Sequence, residues 1–167
     1  MKHVDYSSKE WEDRVYALLA SHPDTVTVVD ARHLDHKTRH GIDGLWRLKD
    51  EDRAFEVPFA VYVAEPETNV VRFETELLQG KNREEGSALS EHVRLYFICS
   101  PRSHSMMSIP GHALREFLTK HGKDFERSAT SVSKADIKGT QVSERVLVPL
   151  EVLSRIPEVT ISSPESW

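Results

Sequence analysis

Residues 42–65, IDGLWRLKDEDRAFEVPFAVYVAE, decide the fold of this chain. Two runs of apolar and polar residues in alternation flank the charged quartet KDED at 49–52, which reads as a turn. In the second run Phe55, Val57, Phe59, Val61 and Val63 fall on one side, and Glu56, Pro58, Ala60 and Tyr62 on the other. A period of two residues is that of a strand, so the pair predicts a β-hairpin. Pro58 has no N–H to give to a neighbour, which places the second strand at a sheet edge or a bulge.

Upstream, Trp11, Val15, Leu18 and Leu19 recur at helical spacing, and Ser7 with Glu10 makes a capping box, so a helix is expected over 9–20. His22 and Pro23 end it, and TVTVVD predicts a strand through Asp30. ARHLDHKTRHG at 31–41 has neither period and reads as a loop or an irregular helix. Downstream, VVRFETELLQ should add a third strand to a meander, and GKNREEGSALSEH a short helix. VRLYFICS at 93–100 is the most apolar strand candidate and belongs at the centre of a sheet. HALREFLTKHG predicts a second helix with Gly122 as its stop, and ERVLVPLEVLSRI a strand broken at Pro149 before a helical turn. The stretch 127–144 is rich in Ser, Thr and Lys and reads as exposed chain, and EVTI as a last strand. The fold class is α/β, a mixed central sheet with flanking helices, in a single domain over 1–160 with a C-terminal tail at 161–167.

The chain has 167 residues, with 27 Asp and Glu against 22 Lys and Arg, a net charge of -5. It contains no apolar run long enough to span a bilayer and no apolar leader segment, so a cytoplasmic protein without a membrane partner is expected. The single cysteine, Cys99, excludes an intrachain disulfide framework and a thiolate-rich metal site. A bound metal would need carboxylates or histidines. No phosphate-binding glycine loop, H-E-x-x-H pair or nucleophile elbow is present.

Three acids form the leading candidate site: Glu12 in the first helix, Asp43 at the start of the first hairpin strand and Glu56 in the second. Two carboxylates on adjacent strands can share a hard divalent cation, and a third from a packed helix can complete its shell. The segments IDG-LW at 42–46 and FEV-PF at 55–59, after an initial helix, resemble the PD-(D/E)xK nuclease superfamily. That resemblance implies the restriction-endonuclease-like fold over about 8–121, with Asp43, Glu56 and Glu12 as metal ligands and catalytic acids. It further implies an Mg2+ cofactor and hydrolysis of phosphodiester bonds in DNA or RNA, with a homodimer suited to cutting two strands. The family's lysine falls on Pro58, and Lys49, Arg53 or Arg72 is the substitute the sequence offers, Lys49 first. Arg47, Arg53, Arg102, Lys120 and Lys123 are the expected substrate-binding cations.

The alternative is a non-catalytic α/β binding or assembly protein, in which Glu56 pairs with Arg47 or Arg72 across the sheet. His33, His36 and His40 form a second metal candidate, since His36 and His40 would share a helical face. Cys99 with His104 lacks an orienting acid, and a buried small side chain is the simpler role for that thiol.

Overall fold

The computed structural model describes residues 7–35, 39–79, 81–132 and 141–162. Helix α1 (Ser8–Ser21) leads into β1 (Thr25–Asp30), β2 (Gly44–Asp50) and β3 (Arg53–Val63), an antiparallel meander. Strands β4 (Val70–Gln79) and β5 (Asn82–Glu85) and a 3-10 turn over Ser87–Leu89 follow. Next come β6 (Leu95–Ser100), β7 (Ser105–Pro110), α2 (Gly111–His121), β8 (Arg127–Val132), β9 (Gln141–Pro149), the single-turn α3 (Leu150–Leu153) and β10 (Thr160–Ser162). They build two sheets, a six-stranded mixed one in the order β1-β2-β3-β6-β7-β10 and a four-stranded antiparallel one in the order β5-β4-β9-β8. The β3–β6 pair is parallel, and the chain between them carries β4 and β5 into the second sheet.

Alternation along the central strands separates two cores. Phe59, Val61, Phe97, Cys99 and Met106 face α1, which buries Trp11, Val15 and Leu19 against them at a spacing of four residues. Each such side chain removed from water contributes about 1.5–3 kcal/mol. The capping box is present, with the Ser7 hydroxyl accepting from Glu10 N–H and the Glu10 carboxylate accepting from Ser7 N–H. On the other face Ala60, Tyr96, Ile98 and Ile109 meet Phe73, Val146 and Val148 of the second sheet and Leu114 and Leu118 of α2. The layers are therefore α1, the six-stranded sheet, and the four-stranded sheet with α2. No helix among the described residues is long and apolar enough to cross a membrane.

Several expectations change. β3 is central, flanked by β2 and β6, although it contains Pro58. The β6 ladder starts one residue later, at Phe59 with Leu95, and Pro58, opposite Leu45 on the β2 side, accepts from Arg94 N–H at 2.8 Å on the other. β4 joins the second sheet rather than extending the meander. The stretch 127–144 contributes to two of that sheet's strands, and Ser105–Pro110, between the expected strand at 93–100 and the expected second helix, is a strand between β6 and β10. The expected last strand, EVTI, is present at its end as β10, where Ile161 pairs with Met107 and Ser162 with Met106, and residues 163–167 lie outside the described residues.

Candidate functional site

Asp43 sits where the chain enters β2, and the next residue explains the close packing there. A Cβ on Gly44 would lie 2.5 Å from the Phe59 ring, so only glycine lets β2 pass at this distance. The Asp43 N–H donates to Phe59 O at 2.8 Å, and its carbonyl accepts from Ala31 N–H at 2.9 Å and from the Tyr16 hydroxyl. Its Oδ2 accepts from Val61 N–H at 2.7 Å, and its Oδ1 accepts from Arg39 Nη2. The side chain is mostly buried, and that burial raises its pKa above the ordinary aspartate value, outweighing the Val61 bond and Arg39.

Asp43 lines a 220 Å3 cavity together with Arg39, Ala60, Tyr62, Glu74 and Ser87. Glu74 comes from β4 of the second sheet, where its Oε2 accepts from the buried Ser143 hydroxyl at 2.6 Å and its Oε1 from Ser87 N–H at 3.3 Å. Burial raises the Tyr62 phenol, and the charges of Asp43 and Glu74 add to the effect. Two carboxylates, a guanidinium and a phenol thus open on one small space.

The register of the hairpin separates the acids expected to act together. Gly44 pairs with Phe59, which puts Asp43 beside Ala60, whereas Glu56 pairs with Arg47. Those positions are four residues apart along the strand, about 13 Å, and ligands of one cation must lie within a few ångströms of it. The Glu56 carboxylate accepts from Arg47 Nε at 2.7 Å, and both side chains are about half exposed. Glu12 projects from α1 and accepts from Arg32 Nη1 at 3.1 Å; it is near enough to Asp43 for its charge to help raise that pKa. The structure thus brings Glu12 and Asp43 into electrostatic reach and leaves Glu56 apart. Among the described residues no three His, Cys, Asp or Glu side chains gather to hold a metal ion.

The expected cations do not share one surface. Lys49 and Arg53 stand at the tip of the β2–β3 hairpin, and Arg102 lies in the turn between β6 and β7 at the other end of the sheet, about 30 Å along the strands. Lys120 pairs with Glu116 on the exposed side of α2, and Lys123 follows in the 3-10 turn after it. Arg72 pairs with Glu65. Cys99 is buried, which pushes its thiol up to about 12 and removes it as a nucleophile.

Other polar arrangements join residues that lie far apart in the sequence. Arg32 receives Glu12, Asp13 and Asp30 together and lies over the Tyr16 ring, 4.4 Å from its centroid. Glu74 enters the Asp43 cavity from another sheet, which no local pattern announces. His33 is exposed, His36 lies outside the described residues, and the His40 ring meets His92. Comparison of the chain with protein-family models, with curated proteins and with solved structures finds no match.

Proposed function

We propose that this chain is a non-catalytic α/β binding or assembly protein. The observation that supports it is the company each acid keeps: Asp43 lies beside Ala60 with Arg39 and a backbone N–H on its oxygens, and Glu56 and Glu12 are each held by a different arginine. A hard cation shared by Asp43 and Glu56 would have to break both ion pairs and bridge four residues of strand. Glu12, Asp43 and Glu56 do not fit one Mg2+ ion, and no catalytic step follows from them.

Assembly has a surface in β1, the edge strand beside β2, whose outer backbone groups face no neighbouring strand among the described residues and whose Val26 is 61 % exposed. Open strand edges template pairing with another strand, and two copies joined there would form a two-fold homodimer. Sedimentation velocity over a concentration series tests this, with a dimer expected for the natural chain and a monomer for Val26→Lys. A monomer throughout, or a dimer indifferent to Val26→Lys, overturns assembly through β1.

A second reading, Mg2+-dependent hydrolysis of DNA or RNA, is favoured by one observation, namely that Asp43 and Glu74 open on the same cavity. The decisive measurement is cleavage of linear, supercoiled and single-stranded DNA and of RNA with and without Mg2+. No metal-dependent cleavage is expected. Cleavage abolished by Asp43→Asn and by Glu74→Gln would overturn the non-catalytic reading, and its loss in Glu56→Gln would restore the hairpin acids as partners.

A further inference from the structure

The second sheet ends at β5, which has β4 on one side and, among the described residues, no strand on the other. The Gly86 N–H donates to Thr75 O at 3.0 Å, and the pairing runs on through Glu84 with Leu77 and Asn82 with Gln79. Bonding alternates along an antiparallel pair, so the N–H and C=O of Arg83 and Glu85 point away from β4. A Cβ on Gly86 would lie 2.2 Å from the Glu74 carbonyl oxygen, so glycine seats this end of β5 tightly on β4. The open edge is thus preformed.

A groove of 410 Å3 lies against that edge, with Glu84, Glu85 and Gly86 on one side and His40, Glu91 and His92 on the other. Its far wall is braced. The Ser90 hydroxyl donates to the His40 carbonyl and accepts from His92 N–H at 3.3 Å, and Arg115 Nη1 donates to Ser90 O and Val93 O at 2.9 and 2.8 Å. A groove walled on both sides takes one extended segment rather than the edge of a second sheet. Glu84, Glu85 and Glu91 are exposed and form no ion pair among the described residues, and no described Lys or Arg lines the groove. Glu85 also stands opposite Glu76 of β4, a like-charge cross-strand pair that costs stability. The cations nearby are engaged, Arg83 with Glu76 at 3.4 Å and Lys120 with Glu116 at 3.9 Å.

We propose that β5 takes up an extended Lys- or Arg-rich segment of another protein as an added strand of the second sheet. The backbone of that segment pairs with Arg83 and Glu85, and its cations meet Glu84, Glu85 and Glu91. Open edges template strand addition, in which main-chain bonds supply affinity and side chains along the strand supply selectivity. Here the three acids supply the selectivity, because their charge favours a cationic strand over a neutral or acidic one. The inference rests on the binding reading of this chain and is independent of assembly through β1.

The probe is a synthetic octapeptide of alternating lysine and threonine, titrated into the isotope-labelled full chain, with affinity read by fluorescence anisotropy and location by NMR. Saturable binding is expected, with amide shifts and slowed amide exchange centred on Arg83 and Glu85. The double variant Glu84→Gln/Glu91→Gln, at two exposed positions, should weaken binding about tenfold. An octapeptide of alternating lysine and proline keeps the charge but loses half of its backbone donors, and should also bind about tenfold more weakly. Val26→Lys should bind the probe as the natural chain does, so failure of assembly through β1 leaves this result standing. No binding, equal binding of the lysine–proline peptide or of a glutamate–threonine peptide, or shifts centred away from β5 would overturn the proposal. So would shifts at Arg83 and Glu85 that grow with protein concentration when no peptide is present, since a second copy would then fill the edge. The titration of the natural chain decides it even if a variant fails to fold.

Discussion

On the α1 face of the six-stranded sheet, Glu12, Asp13 and Asp30 converge on the single guanidinium of Arg32, whereas on the opposite side Asp43 is sunk beside Ala60 and shares a cavity with Glu74. Asp30 on the first side and Asp43 on the second move in opposite directions. Arg32 holds Asp30 down to about 2, while burial pushes Asp43 above its ordinary range despite the Arg39 contact. A carboxylate at the surface gains from a guanidinium at little desolvation cost, and a buried one loses more hydration than a guanidinium returns. The α1 face is therefore a structural lock, and the opposite side is where a polar group is kept at a cost to folding.

The largest expected effect asks whether these two sides are one folding unit. Trp11 is fully buried and anchors α1 against Phe59 and Phe97, so Trp11→Ala should lose about 3–5 kcal/mol, measured as a shift of the urea midpoint. Because the same strands supply both cores, a single transition is expected. Two transitions, or loss of amide protection confined to α1, would mean that the two sides fold separately.

Arg32→Ala should cost less, about 1–2 kcal/mol at pH 7, since its partners are partly exposed and each such pair contributes little alone. Its signature is the pH dependence. An acid whose folded pKa is lowered contributes stability above its unfolded value that disappears as pH falls through the folded one. For Asp30 that window runs from the ordinary aspartate value, 3.8, down to about 2. Acid unfolding curves of Arg32→Ala should be flatter than those of the natural chain in that window. Parallel curves would show that Arg32 acts only by packing on Tyr16.

Much of this contrast was legible along the chain and its decisive pairings were not. The capping box and the four-residue spacing of Trp11, Val15 and Leu19 specify α1 locally, and strict alternation specifies β2 and β3. The sheet to which a strand belongs depends on contacts far away in sequence, so VVRFETELLQ read as the next strand of a meander although its partners are β5 and β9. Polar composition concealed β8, because a strand with one solvated side needs few apolar residues. Ser105–Pro110 contains a proline and two adjacent methionines, weak strand signals that pairing with β6 and β10 overrides. At the site, the choice of Asp43 rested on a sound local cue, the strand start. Its expected partner failed on register, because the two-residue turn at Glu51 and Asp52 sets Arg47, not Asp43, opposite Glu56. Glu74 and His92 reach their partners only through tertiary packing, which spacing does not encode.

Asp43→Asn carries the smallest expected effect and the opposite sign. Asparagine keeps an oxygen to accept from Val61 N–H and removes the charge that burial penalises, so stability at pH 7 should rise by under about 1 kcal/mol. The folded state of the natural chain holds the Asp43 proton to higher pH than the unfolded chain does. Its stabilising contribution is therefore complete below the ordinary aspartate value of 3.8 and is lost as pH rises through the folded pKa. Melting temperatures of the two proteins should converge in acid and part toward neutrality, with the variant higher. A variant that is instead less stable at pH 7 by 1 kcal/mol or more would mean that the Arg39 pair outweighs desolvation, and the two sides of the sheet would then treat their acids alike.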